Sequence, residues 1–228
     1  MTAPIVLFDL DGTVLTFEGA PPGPGRVSLE HAMRDLHALE RATEGIRVAG
    51  GTDRALARAM LRRAGVTDDD AAIARVLTSY VAHLEATLRT RRYRPIGDVA
   101  GAVALLEARG AVVGLATGNA RAGARLKLDS AGLGAVFVLE RGAYGDDAEP
   151  RADIVRLAAA RCGAGEGARI IVVGDTGHDV QAGRAAGARV VGVAISDAAV
   201  SELRAAGADV IVDACGQALV EAVLGAVP

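Results

Sequence analysis

Five short runs of apolar, mostly β-branched residues punctuate the chain: Ile5-Val6-Leu7-Phe8, Val112-Val113-Gly114-Leu115, Ile170-Ile171-Val172-Val173, Val190-Val191-Gly192-Val193 and Val210-Ile211-Val212. None alternates with polar residues, so each reads as a strand buried on both faces. Between them lie helical patterns over 98–109, 121–131, 152–162, 178–186 and 197–206. Strand and helix alternate, with glycines in the turns, which predicts an α/β fold with a Rossmann-like parallel sheet covered on both faces. The stretch 16–92 breaks this rhythm. It shows no strand pattern, and 27–44, 52–64 and 69–89 read as helices. In the last of these, Ile73, Val76, Leu77, Tyr80, Val81, Leu84 and Leu88 fall on one stripe. Asp68 to Asp70 mark its start.

The expected organisation is therefore a core of residues 1–15 and 93–228 and an all-α cap of residues 16–92, inserted after the first strand. The insertion is entered through Gly19-Ala-Pro-Pro-Gly-Pro-Gly25 and left near Tyr93-Arg94-Pro95. An insertion at the carboxyl end of a strand sits above the crevice where open α/β sheets bind ligands.

Composition narrows the field. The chain has 228 residues, 51% of them hydrophobic and 23% charged, with a formal net charge of −3. The apolar fraction supports a buried core, and the charge balance argues against a nucleic-acid partner. Aromatic residues are only 3% and tryptophan is absent, which disfavours base-stacking surfaces. No apolar run approaches the roughly 18–20 residues that span a bilayer. The N-terminal MTAPIVLFDLDGT does not read as a signal peptide. Cys162 and Cys215 suit neither a disulfide framework nor a metal site, so a cytoplasmic protein is expected. Lys127 is the only lysine.

Three polar segments follow apolar strands. In Asp9-Leu10-Asp11-Gly12-Thr13, side chains two apart on extended chain point the same way. Two carboxylates so placed repel unless a cation or a proton lies between them. A hard divalent ion such as Mg²⁺ resolves this, and the pair can then divide nucleophilic and proton-transfer roles. A turn with acidic caps would use the same residues. In Gly174-Asp175-Thr176-Gly177-His178-Asp179, Asp175 can add a third carboxylate to the same cation, and Asp179 can face back from the next helix. The alternative is a helix cap with a first-turn acid. In Ala116-Thr117-Gly118-Asn119, a hydroxyl and backbone N–H groups at a helix start suit a phosphate oxygen, or a Thr/Asn cap alone.

Together, DLDGTVL, the Thr117 segment and GDTGHD followed by Val180-Gln181-Ala182-Gly183 resemble the haloacid dehalogenase superfamily. The resemblance runs along essentially the whole chain, in its phosphoglycolate-phosphatase-like branch with a helical cap. It implies a Mg²⁺-dependent phosphatase acting on a small phosphate monoester. Asp9 would attack phosphorus and form an aspartyl-phosphate, while Asp11 would serve as acid and then base. Asp9, Asp175 and the backbone carbonyl of Asp11 would hold the ion, and Asp179 would support it. Thr117, Gly118 and Asn119 would bind phosphate. A sugar-phosphate mutase and a non-catalytic metal- or nucleotide-binding module are the alternatives. Asp11 disfavours a dehalogenase, and the lack of a cap lysine disfavours a phosphonate hydrolase. The partner implied is a small phosphate ester, with no nucleic acid and no membrane, for a monomer or homodimer.

One part departs from the pattern. The family places a lysine before the last acidic motif, and spacing from Asp175 puts Glu149 there. Arg151 is the candidate replacement, unless it pairs with Asp146, Asp147 or Glu149. Lys127 is the rival phosphate ligand, although its place on a helix reads more readily as a solvated face. In the cap, Gly50-Gly51-Thr52-Asp53-Arg54 offers a substrate loop through Thr52 and Arg54, or a plain helix cap. His178 reads as an exposed loop residue, and Glu18 and Arg26 flank the entry to the insertion.

Overall fold

The structure is a computed structural model and describes residues 3–225. The outermost ends of the expected core, residues 1–2 and 226–228, lie outside that range. The elements in chain order are β1 (Ile5–Phe8), β2 (Leu15–Phe17), α1 (Pro24–His37), α2 (Asp53–Arg63), α3 (Asp70–Thr87), β3 (Tyr93–Pro95), α4 (Val99–Ala108), β4 (Val112–Leu115) and α5 (Arg121–Ser130). They continue with α6 (Arg151–Arg161), β5 (Ile170–Gly174), α7 (Gly177–Ala185), β6 (Arg189–Val193), α8 (Asp197–Ala206), β7 (Val210–Val212) and α9 (Gln217–Leu224).

The five apolar runs form one parallel sheet in the order β4-β1-β5-β6-β7. Alternate residues serve opposite faces. Val6, Phe8, Ile171 and Val173 join a cluster with α4, α5 and α9, whereas Ile5, Leu7 and Val172 join one with α6, α7 and α8. The register aligns Phe8 with Leu115 on one side and Val173 on the other. The residues that follow these three strands therefore emerge side by side from one edge of the sheet. Among the described residues, no helix is long and apolar enough to cross a membrane.

Helices α1, α2 and α3 share their own apolar cluster, which includes Leu29, Met33, Met60, Ile73, Tyr80 and Leu84. The stretch on either side of them is not free of strand. β2 and β3 pair antiparallel, Phe17 opposite Tyr93, and close the helical block at its base. Three-residue strands are too short to show a period in the sequence. Helix α1 also differs from the expected 27–44. It starts earlier, with Pro24 in its first turn where a missing N–H is harmless. It stops at His37 because Ala38 takes a left-handed φ of 51° and its N–H returns to the Arg34 carbonyl. The chain beyond is held by Glu30, whose carboxylate accepts from the Thr43 N–H at 3.0 Å. Helix α9, not anticipated, buries Leu219, Val220 and Val223.

Candidate active site

The sheet edge gathers two charged groups. The first is Asp9, Asp175 and Asp179 with Arg151. The Asp9 N–H is tied to the Val173 carbonyl at 2.9 Å, which fixes where its side chain leaves β1. Asp9 is 6% exposed, and its Oδ1 is buried without a hydrogen-bond donor. Arg151 Nη2 lies 2.8 Å from that oxygen, at ion-pair distance but off the line of a hydrogen bond. The same guanidinium donates to Asp179 Oδ1 from Nε at 2.9 Å and Nη2 at 2.6 Å. Asp179 is fixed by a capping box at the start of α7, where its Oδ2 accepts from the Thr176 N–H at 3.0 Å. Asp175 accepts from the Thr13 hydroxyl at 3.2 Å. One oxygen from each of Asp9, Asp175 and Asp179 lies within 4.8 Å of the others.

Three carboxylates carry three formal negative charges and Arg151 returns one positive charge. The remaining two match a divalent cation, and hard carboxylate oxygens suit Mg²⁺. Without a cation, burial disfavours the charged forms of Asp9 and Asp175. Burial raises Asp9, Arg151 pulls it back, and Asp179 and Asp11 add to the rise, leaving it at about 6. Burial, then Asp179 and Asp9, push Asp175 up to about 9. Both values lie above the ordinary 3.8, so the folded protein holds protons that the unfolded chain has released. Metal-free stability therefore falls as pH rises from about 4 to 9. A bound cation displaces those protons, so its stabilising effect grows over the same range. The Tm gained from millimolar Mg²⁺ should be at least about 5 °C larger at pH 8.5 than at pH 5.5. Equal gains in thermal unfolding would contradict this account of the cluster.

The second group is Asp11, Asn119 and Lys127. Asn119 Nδ2 donates to Asp11 Oδ2 at 2.9 Å and to the Thr117 hydroxyl oxygen at 2.9 Å. Lys127 Nζ donates to Asp11 Oδ2 at 2.5 Å and also to Asn119 Oδ1. Lys127 is only 4% exposed, not on a solvated face. The sequence held a signal for this: Ala120, Ala124, Lys127, Leu128 and Ala131 share one otherwise apolar stripe. Burial works against the Lys127 charge, but Asp11, Tyr80, Tyr93 and Asp53 outweigh it and raise its pKa well above the ordinary lysine value.

Arg151 is not paired with Asp146, Asp147 or Glu149. Asp146 accepts from the Arg121 N–H, Asp147 pairs with Arg161, and Glu149 pairs with Arg54 and Arg58. Gly12 makes the acidic turn possible. Its φ is +83°, and a Cβ there would lie 2.0 Å from Asp175 Oδ2. Gly12→Ala should lose about 1–3 kcal/mol of stability from the backbone alone and displace Asp175 as well. Thermal unfolding with and without Mg²⁺ reads both effects, and a variant with an unchanged Mg²⁺ response would exclude the displacement.

Both groups open onto a cavity of about 310 Å³ roofed by Leu29, Val48, Leu56 and Tyr80 of the helical block. The roof sits directly on the core. The Asp53 N–H donates to the Gly118 carbonyl at 2.7 Å, and Asp53 Oδ2 accepts from the Ala120 N–H at 2.8 Å. A Cβ on Gly118 would lie 2.3 Å from the Gly51 carbonyl oxygen. Asp53, read from sequence only as a helix cap, is thus a buried cavity residue, lifted to about 6 chiefly by burial, against Lys127 and the Ala120 N–H. Thr52 and Arg54 do not line the cavity. Thr52 caps α2 through the Ala55 N–H, and Arg54 pairs with Asp70 and Glu149. His178 is half-buried against Gly50 rather than exposed, Arg26 reaches the cavity wall, and Glu18 is exposed away from it.

The family model described as haloacid dehalogenase-like hydrolase matches residues 4–187. Among curated proteins none matches. Solved structures that align over nearly their full length include a hydrolase from Pseudomonas syringae (20% identity, 99% of this chain, 100% of that one, TM-score 0.71). A predicted phosphatase from Clostridium acetobutylicum aligns at 18% identity over 99% and 100% of the two chains, with a TM-score of 0.72. CbbY from Rhodobacter sphaeroides, solved in complex with phosphate, aligns at 18% identity over 95% and 96%, also with a TM-score of 0.72.

Proposed function

The chain belongs to the haloacid dehalogenase-like hydrolases, and from that premise we propose that it is a Mg²⁺-dependent phosphatase of small, phosphoglycolate-like phosphate monoesters. The observation that carries this reading is the pair of first-motif carboxylates facing one small cavity in different surroundings. Asp9 is buried with an unsatisfied oxygen among two further carboxylates, whereas Asp11 is half-exposed and held by Asn119 and Lys127. Different surroundings suit different roles.

Asp9 would attack phosphorus as the bond to the ester oxygen breaks, giving an aspartyl-phosphate. Asp11 would deliver its proton to the departing alkoxide. It would then take a proton from the water that attacks the intermediate and releases phosphate from Asp9. Asp9, Asp175 and the Asp11 carbonyl would hold Mg²⁺, with Asp179 behind them, and the ion would offset charge on the phosphoryl oxygens. The Thr117 hydroxyl and Gly118 N–H would orient those oxygens, and Arg151 would supply the side-chain cation. Residues 16–92 would act as a cap that keeps bulk water from the reacting phosphoryl group.

Hydrolysis of p-nitrophenyl phosphate and 2-phosphoglycolate, with Mg²⁺ and with a chelator, tests the reading. Turnover of either ester that the chelator removes is expected. Absence of Mg²⁺-dependent release of phosphate from both would overturn it.

A further inference from the structure

We propose that Lys127 is a positioning residue for Asp11, and that it works by fixing one oxygen of that carboxylate so that the other is left for proton transfer. The inference rests on the phosphatase reading above and extends it to a residue outside the three acidic segments.

The geometry is asymmetric. Asp11 Oδ2 receives two donors, Lys127 Nζ and Asn119 Nδ2. Asp11 Oδ1 receives none from the described residues, while Asp11 itself lines the cavity and its side chain is 44% exposed. A carboxylate on a short side chain can rotate about χ2, and a proton-transfer oxygen is useful only when it is held toward the reacting atom. Two donors on Oδ2 remove that freedom. Lys127 is itself immobilised. Its ammonium also donates to Asn119 Oδ1, lies 5.4 Å from the centre of the Tyr93 ring, and has Tyr80 and Asp53 as its other polar neighbours. Asn119 in turn is tied to Thr117, so the clamp runs from β4 to α5.

The two buried cations of the site divide the work. Arg151 serves Asp9 and Asp179, and Lys127 serves Asp11. Two of the three N–H groups of the Lys127 ammonium are already committed to Asp11 and Asn119. Burying an ammonium in an apolar stripe of α5 is costly unless a carboxylate compensates it, and Asp11 is the carboxylate within ion-pair distance.

Two experiments decide this. Because Lys127 is the only lysine, protein labelled with ¹⁵N-lysine carries a single ammonium resonance. Asp11→Asn should shift that resonance and speed its proton exchange at least about tenfold, while Asp9→Asn should leave it nearly unchanged. The reverse pattern, or no response to either, would remove the pairing whether or not the protein is a phosphatase. In the second experiment, Lys127→Met and Lys127→Arg are compared with wild type on 2-phosphoglycolate and p-nitrophenyl phosphate. Lys127→Met should lower kcat by about 30- to 300-fold with KM within about threefold, and Lys127→Arg should recover at least a tenth of wild-type kcat. A raised KM with kcat preserved would make Lys127 a substrate ligand instead. Unchanged kcat with a lowered Tm would make it a structural ion pair. If the resonance responds as expected but wild type turns over neither ester, the phosphatase reading fails and the catalytic role of Lys127 falls with it, although the pairing stands.

Discussion

Asp9→Asn should abolish metal-dependent phosphate release, lowering kcat by at least about 10³-fold, yet leave inorganic phosphate bound within about fivefold of wild type. The amide is nearly isosteric but a poor nucleophile. The change removes the charge that Arg151 faces at 2.8 Å, but Arg151 keeps its two hydrogen bonds to Asp179, and the Gly118 N–H lies outside the substitution. The structure adds a second expectation that a damaged fold would not meet. Asp9 Oδ1 is buried without a hydrogen-bond donor, and its carboxyl is pushed up to about 6. Replacing it with a neutral group lifts a charge burden from the metal-free protein, so its Tm at pH 8 should equal or exceed that of wild type. Steady-state hydrolysis, phosphate calorimetry and thermal unfolding measure the three quantities. Residual turnover within tenfold of wild type would remove Asp9 from the chemistry.

Arg151→Met should cost the metal-free protein about 3–5 kcal/mol at pH 8, the range found when one partner of a buried ion pair is deleted. In a chain of this length that corresponds to a fall in Tm of about 10 °C. The side chain is 11% exposed, and its guanidinium spans Asp9 and Asp179. Its removal leaves the two carboxylates facing each other across apolar methylenes. Lowering the pH to 5.5 should recover much of the loss, because Asp9 and Asp175, both held above the ordinary carboxylate value, are then largely protonated. Arg151→Lys should fall between, since one ammonium cannot reproduce the fork that meets Asp179 through two nitrogens. A Tm within about 2 °C of wild type at both pH values would mean that the pair contributes nothing net. Activity should fall in step with loss of the side-chain cation that the described residues place beside Asp9.

The elements that the sequence made legible are those whose burial writes a pattern. The runs around Ile5, Val112, Ile170 and Val190 are apolar throughout because helices cover both faces of the sheet, Val210–Val212 forms its half-buried edge, and all five pair as expected. Helix α3 runs Asp70–Thr87, close to the expected 69–89, because one stripe packs inward and Asp69 caps it. β2 and β3 leave no signal because Leu15-Thr16-Phe17 and Tyr93-Arg94-Pro95 are too short for a period and, unlike Val210-Ile211-Val212, are not wholly apolar. Helix α1 was misjudged at its end because nothing in the local residue types announces the left-handed Ala38. At the site, Asp9, Asp11, Asp175 and Asp179 were readable as residues placed after strands, which is a matter of chain position. The partners of Lys127 were not, because the apolar stripe of α5 signals that the lysine is buried but not which carboxylate, distant in the chain, it meets. Asp53 hid in the same way: an acid at a helix start satisfies a local rule, while its link to the Ala120 N–H joins segments far apart in the chain.

The small β2–β3 pair bears on how such a molecule can diversify. It joins the point where the chain leaves the sheet to the point where it returns, with Leu15 opposite Pro95 and Phe17 opposite Tyr93. The ends of everything between are thereby clasped to one another. The entropy of closing a loop grows only slowly with its length, and here the clasp has already met most of it. Helices above the clasp can be lengthened where they do not touch the core, whereas the α2 start is held to the sheet edge through Asp53, Gly118 and Ala120. The clasp thus holds the two ends of the helical block together at the base of the cavity, and the bonds at Asp53 hold its roof to the sheet edge.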